Sequence, residues 1–495
     1  MDTMRKILVT NRTALDSRYG VAGRQHIETA VNSLIAADAA RGITTSLMFL
    51  DVAGAIGPSA RVVTVPSDPQ QNKDAIDHVV SAHAPDHVVI LGAPDVVPHV
   101  TLANPVVDDP DANVPSDLPY ACSAPYSTDA GDFVAPSRSV SRIPGINGSP
   151  DPAYLVNLLD AAATLVTQPA AAFAAYFSVS ADVWRASTAL SLNAIFGNAA
   201  ALAVAPPDGP ARPPARYGAN AQFFNLHGAT NDDRWYGQLG MSFPVALAGT
   251  DVAGNVARGA VVASEACYGG ELYPPGTGVG TPICNVYLAG GCAGFFGSTT
   301  VAYGPAATNG SADLITQYFV KEMLAGRTVG DAGLAARVQF VHATSTMTPV
   351  NLKTLAQFLV LGDGSGAPVE APAIARALAA PKLSAAAARR VLVPVLSEAP
   401  LPHAIERTIS AQADAIGLEE PRTRTYVMRP ASAAFGAVAS ALSLEALPQT
   451  RVHVTVDYRA AQQKGVTSQQ PLAFSVIEVV ETDGAVVGVQ TYYRR

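Results

Sequence analysis

Short apolar runs that alternate with stretches of helical periodicity constrain this sequence more than any other feature. Examples are KILVT, TSLMFLD, HVVILG, QFFNL and AVVAS. Runs of this kind are typical of strands buried on both faces, and a helix between consecutive strands predicts right-handed βαβ units. We therefore predict an α/β fold in which helices cover a parallel sheet.

The length of the chain predicts more than one domain. Its 495 residues exceed one ordinary core. Strand–helix alternation runs through residues 1–150 and again through 151–370, which predicts two tandem α/β subdomains, either fused into one unit or packed together. Residues 380–495 combine an Ala-rich helix, the helix HAIERTISAQADAIG and alternating strands around the turn TDG, and predict a small α+β domain with no catalytic cluster.

Composition excludes two classes of partner. The formal net charge is −8 and basic runs are absent, so a nucleic-acid partner is not expected. The first 20 residues show no apolar signal region, and neither of two uncharged stretches forms an apolar membrane span. The four cysteines have no zinc-site spacing, which favours free thiols in a reducing cytoplasm.

A histidine and a cysteine follow two of the predicted strands. His227-Gly228 directly follows the run QFFNL, and Cys267 directly follows AVVASEA. Loops at the carboxyl ends of parallel strands line the ligand crevice, so both side chains are expected in one cleft, as a thiol nucleophile and its acid–base partner. The Gly228 and Cys267 amides would then stabilise a developing oxyanion. Taken singly, each residue is more typical of a buried core side chain.

The blocks around these residues resemble the caspase–gingipain–legumain superfamily of cysteine peptidases. The stretch Glu265-Ala266-Cys267-Tyr268-Gly269 is similar to the x-Ala-Cys-x-Gly motif of caspases, with the histidine upstream. SDLPY, SRIPG, CAGFFGSTTVAYG and FLVLGDGSG resemble gingipain blocks in the same order, over roughly residues 5–365. The resemblance implies a caspase-like α/β/α sandwich and an endopeptidase in which Cys267 attacks the scissile carbonyl and His227 protonates the leaving amine.

Three further residues are candidates for substrate binding by the same resemblance. Asp182 matches one of two gingipain acids, one of which supports the histidine while the other fills a pocket for Arg or Lys; a helix N-terminal aspartate is the alternative. Glu265 lies on the same strand face as Cys267 and would need a cation if buried, either a substrate Arg or Lys or an internal Arg. Tyr303 matches a pocket aromatic, with a core tyrosine as the alternative.

The remaining expectations concern ligands and partners. No cofactor or metal is expected; the acidic loop 108–113 is interpreted as a solvated turn, with calcium as an alternative whose ligands no motif places. The predicted partners are a protein or peptide substrate and a regulatory protein, and residues 380–495 are the candidate gate of the cleft. The competing hypothesis is a catalytically silent, caspase-like binding or scaffold protein. A nucleotide-binding module over 1–150 is disfavoured, because no GxGxxG or P-loop follows KILVT.

Overall fold

The computed structural model describes residues 3–57, 61–372, 383, 385–388, 390–431, 449–458 and 474–495. The helices in this part of the chain are α1 (Arg12–Ala40), α2 (Pro69–His83), α3 (Ala153–Ala163), α4 (Arg185–Phe196), α5 (Gly249–Val252), α6 (Ile283–Ala289), α7 (Ala312–Leu324), α8 (Val329–Ala343), α9 (Pro349–Gln357), α10 (Ala385–Ala388) and α11 (His403–Ile416). None of them combines the length and apolar character needed to cross a bilayer.

The strands of the same part of the chain are β1 (Met4–Thr10), β2 (Ile43–Phe49), β3 (His87–Leu91), β4 (Val100–Ala103), β5 (Asn113–Ser116), β6 (Ser139–Ile143), β7 (Tyr176–Ala181), β8 (Leu202–Ala205), β9 (Ala221–Asn225), β10 (His227–Gly228), β11 (Arg234–Tyr236), β12 (Val245–Ala248), β13 (Val261–Ser264), β14 (Gly294–Ser298), β15 (Tyr303–Gly304), β16 (Phe358–Leu361), β17 (Leu392–Ser397), β18 (Pro421–Pro430), β19 (Thr450–Asp457), β20 (Ser475–Thr482) and β21 (Ala485–Arg494).

One large sheet unites the two predicted subdomains. Its strand order is β2-β1-β3-β6-β16-β14-β13-β9-β7-β8. Neighbours are parallel except β14 and β16, which pair antiparallel. The predicted parallel sheet is thus mostly parallel: its two parallel halves run in opposite directions and meet at this pair. The cause is β16, which returns after α9 and joins β6 in the first half to β14 in the second.

Helices cover the sheet in two separate groups, which gives the expected α/β/α layering. α1, α3 and α6 contact one another in series, and α4, α7, α8 and α9 form a second connected set. Strands such as β3, β9 and β14 are buried along their whole length, which explains why they are almost uninterrupted apolar runs in the sequence. The predicted fold class, a mixed α/β protein with a large, mostly parallel sheet and an additional antiparallel sheet, is confirmed.

The C-terminal part of the chain builds the antiparallel sheet, whose order is β15-β21-β20-β19-β18-β17. The predicted TDG turn lies between β20 and β21, where Asp483 and Gly484 both have positive φ. α11 covers one face through Ile405 and Ile409, which pack against Ile477 and other apolar residues of β20. β17 and β18 were not predicted, and most of the predicted Ala-rich helix lies outside the described residues. The edge strand β15 belongs to the large α/β unit, so this sheet spans both units.

Glu478 ties the antiparallel sheet to α9. The Val350 N–H, in the first turn of α9, donates to Glu478 Oε1 at 3.0 Å. Burial raises the pKa of Glu478 to about 7 from 4.5. A carboxyl whose pKa is raised on folding stabilises the protein fully at pH values below its unfolded pKa and loses this contribution as pH rises through the folded one.

We therefore predict that wild-type stability falls relative to Glu478→Gln between pH 5 and pH 8, by on the order of 3 kcal/mol. Denaturant or thermal midpoints of both proteins across this range measure the difference. Glu419→Gln, at an exposed position, is the control and should track the wild type. Parallel pH profiles for wild type and Glu478→Gln would contradict the prediction.

Candidate active site

The carboxyl ends of β9 and β13 bring the predicted dyad to one edge of the sheet. These strands are parallel neighbours, with Phe224 opposite Ser264. The Glu265 N–H donates to the Phe224 carbonyl at 2.9 Å, one position beyond the ladder. Gly228 then passes so close to Cys267 that a Cβ there would lie 1.8 Å from the Cys267 carbonyl oxygen. Only glycine fits at position 228, where the two backbones come into contact.

The Cys267 thiol lies in a turn with strained backbone. Tyr268, the next residue, has φ of 57°, a conformation that a non-glycine residue adopts rarely and that recurs at functional sites. The thiol sulfur accepts a hydrogen bond from the Ala302 N–H at 3.2 Å. Burial raises the pKa of Cys267, and nearby Arg494 opposes the shift. The thiol is therefore protonated at neutral pH in this conformation.

The His227 imidazole is oriented by one hydrogen bond and two aromatic rings. Its Nε2 lies 2.8 Å from Gln238 Oε1, an acceptor, which fixes the proton on Nε2. Nδ1 is buried and has no hydrogen-bond partner among the described residues. Trp184 and Phe243 contact the ring at centroid distances of 4.3 and 4.8 Å. Burial lowers the pKa of His227 to about 3, so the imidazole is neutral and Nδ1 carries a free lone pair.

A main-chain oxygen of this same chain, that of Arg495, lies between the two predicted oxyanion-hole amides. Gly228 N and Cys267 N are each 3.4 Å from the carbonyl oxygen of Arg495. The Arg495 N–H donates to the Ala302 carbonyl at 3.0 Å. Two amides that converge on one oxygen are the arrangement that stabilises an oxyanion in acyl transfer.

The Arg495 side chain fills a buried acidic pocket beside the dyad. Its Nη2 donates to both carboxylate oxygens of Asp313 at 2.9 Å and to the Pro305 carbonyl at 3.0 Å. Its Nε lies 3.7 Å from Glu265 Oε2. The guanidinium carbon is 4.5 Å from the ring centroid of Trp184, a cation–π contact. Nη2 makes all of these hydrogen bonds and the Trp184 ring covers the guanidinium plane, whereas Nε and Nη1 are buried without a hydrogen-bond partner among the described residues.

Two carboxyl groups share this single cation. Burial raises the pKa of Glu265 well above its usual value, and the nearby Asp313 charge adds to the effect. Burial also raises the pKa of Asp313, against the opposing charge of Arg495. Two buried carboxylates cannot both ionise beside one guanidinium without a large cost, so one proton is retained between them. The pocket therefore matches one positive charge.

Arg494 occupies a second position along the same groove. It lies opposite Tyr303 in the β15–β21 pair. Its guanidinium carbon is 6.0 Å from the ring centroid of Tyr268. Burial disfavours the charged form of Arg494, but Cys267, Tyr268 and Asp111 outweigh it and raise its pKa. The groove thus holds consecutive arginines in two different environments.

The structure separates the three predicted substrate-binding residues. Glu265 lies in the pocket, 3.7 Å from Arg495, so its cation here is an internal arginine, one of the two alternatives that the sequence left open. Tyr303 is buried on the groove wall, with its hydroxyl donating to Asp109 at 2.6 Å. Asp182 is 56% exposed and ion-paired with Arg185, at a short helical turn. The carboxylates on the Arg495 guanidinium are those of Glu265 and Asp313.

The acidic loop 108–113 is partly buried, which corrects the expectation of a solvated turn. The Lys353 ammonium lies 2.8 Å from Asp109 and 3.6 Å from Asp111. Tyr268 and Tyr303 donate further hydrogen bonds to these two carboxylates. The loop turns inward because a buried cation and two hydroxyls compensate its charges. Within the described residues no group of three or more His, Cys, Asp or Glu could hold a metal.

Four important residues of this site were not predicted from the sequence. Asp313 lies in the first turn of α7, Trp184 follows β7, and Gln238 lies between β11 and β12. The fourth, Arg495, comes from the C-terminal sheet. Trp184 had a usable signal, because it is one of two tryptophans and directly follows a predicted strand. The others depend on long-range packing, which has no local signal.

Comparisons with known proteins give distant matches. No protein-family model and no curated protein matches the chain. Two solved structures of a Saccharomyces cerevisiae separase–securin complex, at 3.0 and 2.6 Å, are similar at 13% and 12% identity, with TM-scores of 0.30 and 0.33. They cover 47% and 60% of this chain but 14% and 17% of the matched chains. This chain therefore spans less than a fifth of their length, and the chemistry must be argued from the site.

The Gln238–His227 hydrogen bond gives a direct prediction. Gln238→Glu places a negative charge at Nε2, which stabilises the imidazolium, so we expect the pKa of His227 to rise by at least about one pH unit. NMR titration of ¹⁵N-labelled imidazole measures it. Gln339→Glu is the matched control, because Gln339 bonds Glu322 away from this site. An unchanged His227 titration in Gln238→Glu would contradict the assigned hydrogen bond.

Proposed function

We propose that this chain is a cysteine endopeptidase of the caspase–gingipain type that cleaves proteins or peptides after arginine. The observation that carries the proposal is the position of Arg495, whose carbonyl oxygen meets the Gly228 and Cys267 amides while its side chain enters the acidic pocket. A peptide bound in this way presents its carbonyl carbon beside the only ionisable sulfur of the groove among the described residues.

The proposed reaction assigns roles to Cys267, His227 and the two amides. His227 Nδ1 takes the proton of the Cys267 thiol as the sulfur attacks the scissile carbonyl carbon. The Gly228 and Cys267 amides stabilise the oxyanion of the tetrahedral intermediate. The imidazolium then protonates the leaving amine, which leaves a thioester on Cys267. Water, deprotonated by His227, hydrolyses this thioester and regenerates the thiol.

The pocket favours arginine over lysine. The guanidinium lies against the Trp184 face and donates to Asp313 and to the Pro305 carbonyl. An ammonium is a compact point charge that cannot stack on the indole face in this way. A Cβ at Gly304 would lie 2.1 Å from Arg495 Nη2, so glycine at this position keeps the pocket open for the planar group.

A catalytically silent binding or scaffold protein is the second candidate. One observation favours it: Cys267 and His227 are 1% and 3% exposed and both neutral. A silent protein would keep the arginine pocket but would not turn over peptides. A cytoplasmic location, a substrate protein and a regulatory partner stay predictions for either candidate.

Cys267→Ala tests the nucleophile. The variant should fold but lose all hydrolysis of peptides with arginine before the cut, because no other described group is placed to attack the carbonyl. Fluorogenic peptides measure the loss, and circular dichroism checks the fold. Cys292→Ala, at a buried cysteine near neither amide, is the control. Hydrolysis that persists in a folded Cys267→Ala protein would rule out the mechanism.

Asp313→Asn tests the pocket. We expect the ratio of kcat/KM for an arginine peptide to kcat/KM for its citrulline analogue to fall about 10- to 100-fold, because a charge-assisted hydrogen bond is lost. Because both peptides are measured on the same protein, anything that blocks the site equally for both cancels from the ratio of their kcat/KM values. Asp182→Asn, at the exposed aspartate, should leave the ratio unchanged. If instead Asp182→Asn lowered the ratio and Asp313→Asn left it unchanged, the acid that selects arginine would be Asp182.

A further inference from the structure

The end of β21 enters the groove as an additional strand. It pairs antiparallel with β15, with Gly304 opposite Tyr493 and Tyr303 opposite Arg494. Addition of an extended segment to an exposed sheet edge is a general mode of peptide recognition, in which main-chain hydrogen bonds give affinity and side-chain pockets give specificity. Here both components are present, and the added segment belongs to the same chain.

Resting on the proposed function, we propose that Tyr492–Arg495 is an intramolecular, substrate-like inhibitor that fills the catalytic groove. External peptides enter when the end of β21 is withdrawn. Within this segment, Arg495 makes the contacts that matter for inhibition: its side chain enters the acidic pocket and its main-chain oxygen meets the two amides.

Burial of the dyad is a consequence of this occupancy. Arg494 and Arg495 both lie close enough to His227 to lower its pKa, in addition to burial. The thiol and the imidazole are therefore covered by the segment that occupies the groove. Withdrawal of that segment would return solvent to both groups and remove two positive charges from beside the imidazole.

Tethering makes the segment a strong competitor. A ligand held on the same chain acts at an effective concentration of the order of millimolar, or higher when the tether is ordered. β21 pairs with β20 along its length, from Ala485 to Tyr493, which holds its end at the groove. The pairing of β21 with β15 is much shorter, since β15 consists of Tyr303 and Gly304. Withdrawal of Tyr492–Arg495 therefore breaks the last rungs with β20, at Tyr492 and Tyr493, and leaves the rest of the β20–β21 pairing in place.

The second arginine defines which external peptides should compete. Arg494 lies beside the Tyr268 ring, and Asp111, which accepts from the Tyr268 hydroxyl at 2.9 Å, is among the groups that favour its charged form. A peptide with Arg-Arg before the cut would reproduce both side-chain contacts. We expect such peptides to be cleaved better than peptides with Ala-Arg.

Two full-length variants test the occupancy. Arg495→Ala removes the pocket ligand. Tyr493→Pro weakens β21 opposite Gly304 without change to the pocket, because proline cannot donate to a ladder. Each should raise the rate of Cys267 alkylation by iodoacetamide, and kcat/KM for an external Arg-Arg peptide, by about tenfold or more. Arg422→Ala is the control, because Arg422 stacks on Tyr458 in the same sheet away from the groove. Peptide mapping identifies the labelled cysteine.

The outcomes separate the two proposals. If both variants label and cleave at the wild-type rate, the inhibitory segment is overturned while the peptidase stands. If both label faster but none of the proteins cleaves any peptide, the occupancy stands and the peptidase is overturned in favour of the binding protein. Labelling of Cys122, Cys284 and Cys292 as well as Cys267 would reveal an unfolded Arg495→Ala protein, and Tyr493→Pro then decides.

Discussion

The register between β9 and β13 determines where this site lies. The Glu265 N–H donates to the Phe224 carbonyl, and beyond this rung both chains leave the sheet at the same edge. His227 and Cys267 come within three residues of it. Because the two backbones remain in contact, Gly228 and Cys267 direct their amides to one point. A slip of one residue would turn the thiol or the imidazole to the opposite face, so the positions of His227, Cys267 and the two converging amides all depend on this pairing.

The arginine pocket is assembled from elements that are distant in sequence. Asp313 comes from α7, Trp184 from the turn after β7, and Glu265 from the end of β13. Asn225 donates to Asp313 at 3.4 Å and so links the floor of the pocket to β9. A shared strand therefore positions both the histidine and the pocket acid. Under the proposed function, substrate specificity and catalysis are therefore coupled, because a shift of β9 would displace both His227 and Asp313.

The sequence predicted the parts of this molecule that local pattern encodes. Buried strands such as β3 and β13 stand out because both faces are covered, and glycine at position 228 marks a close backbone approach. The antiparallel pairing of β16 with β14 could not be predicted from the sequence, because tertiary packing determines which strands pair. Asp313 was not predicted either, because an acidic residue in the first turn of a helix is common and does not by itself indicate a binding site. Asp182 has that same ordinary character, and only the fold distinguishes the aspartate that faces the guanidinium.

A buried thiol and imidazole would argue against catalysis if a core covered them. Here the end of β21 contributes to the cover, and it carries the guanidinium that fills the pocket. Without a cation, Glu265 and Asp313 would be two carboxyls in a low-dielectric site, where they neutralise by taking up protons. A guanidinium recovers one ionised carboxylate and satisfies the Pro305 carbonyl. Under the proposed function, the pocket is filled either by the chain itself or by a substrate, and competition between these two arginines is the point of control.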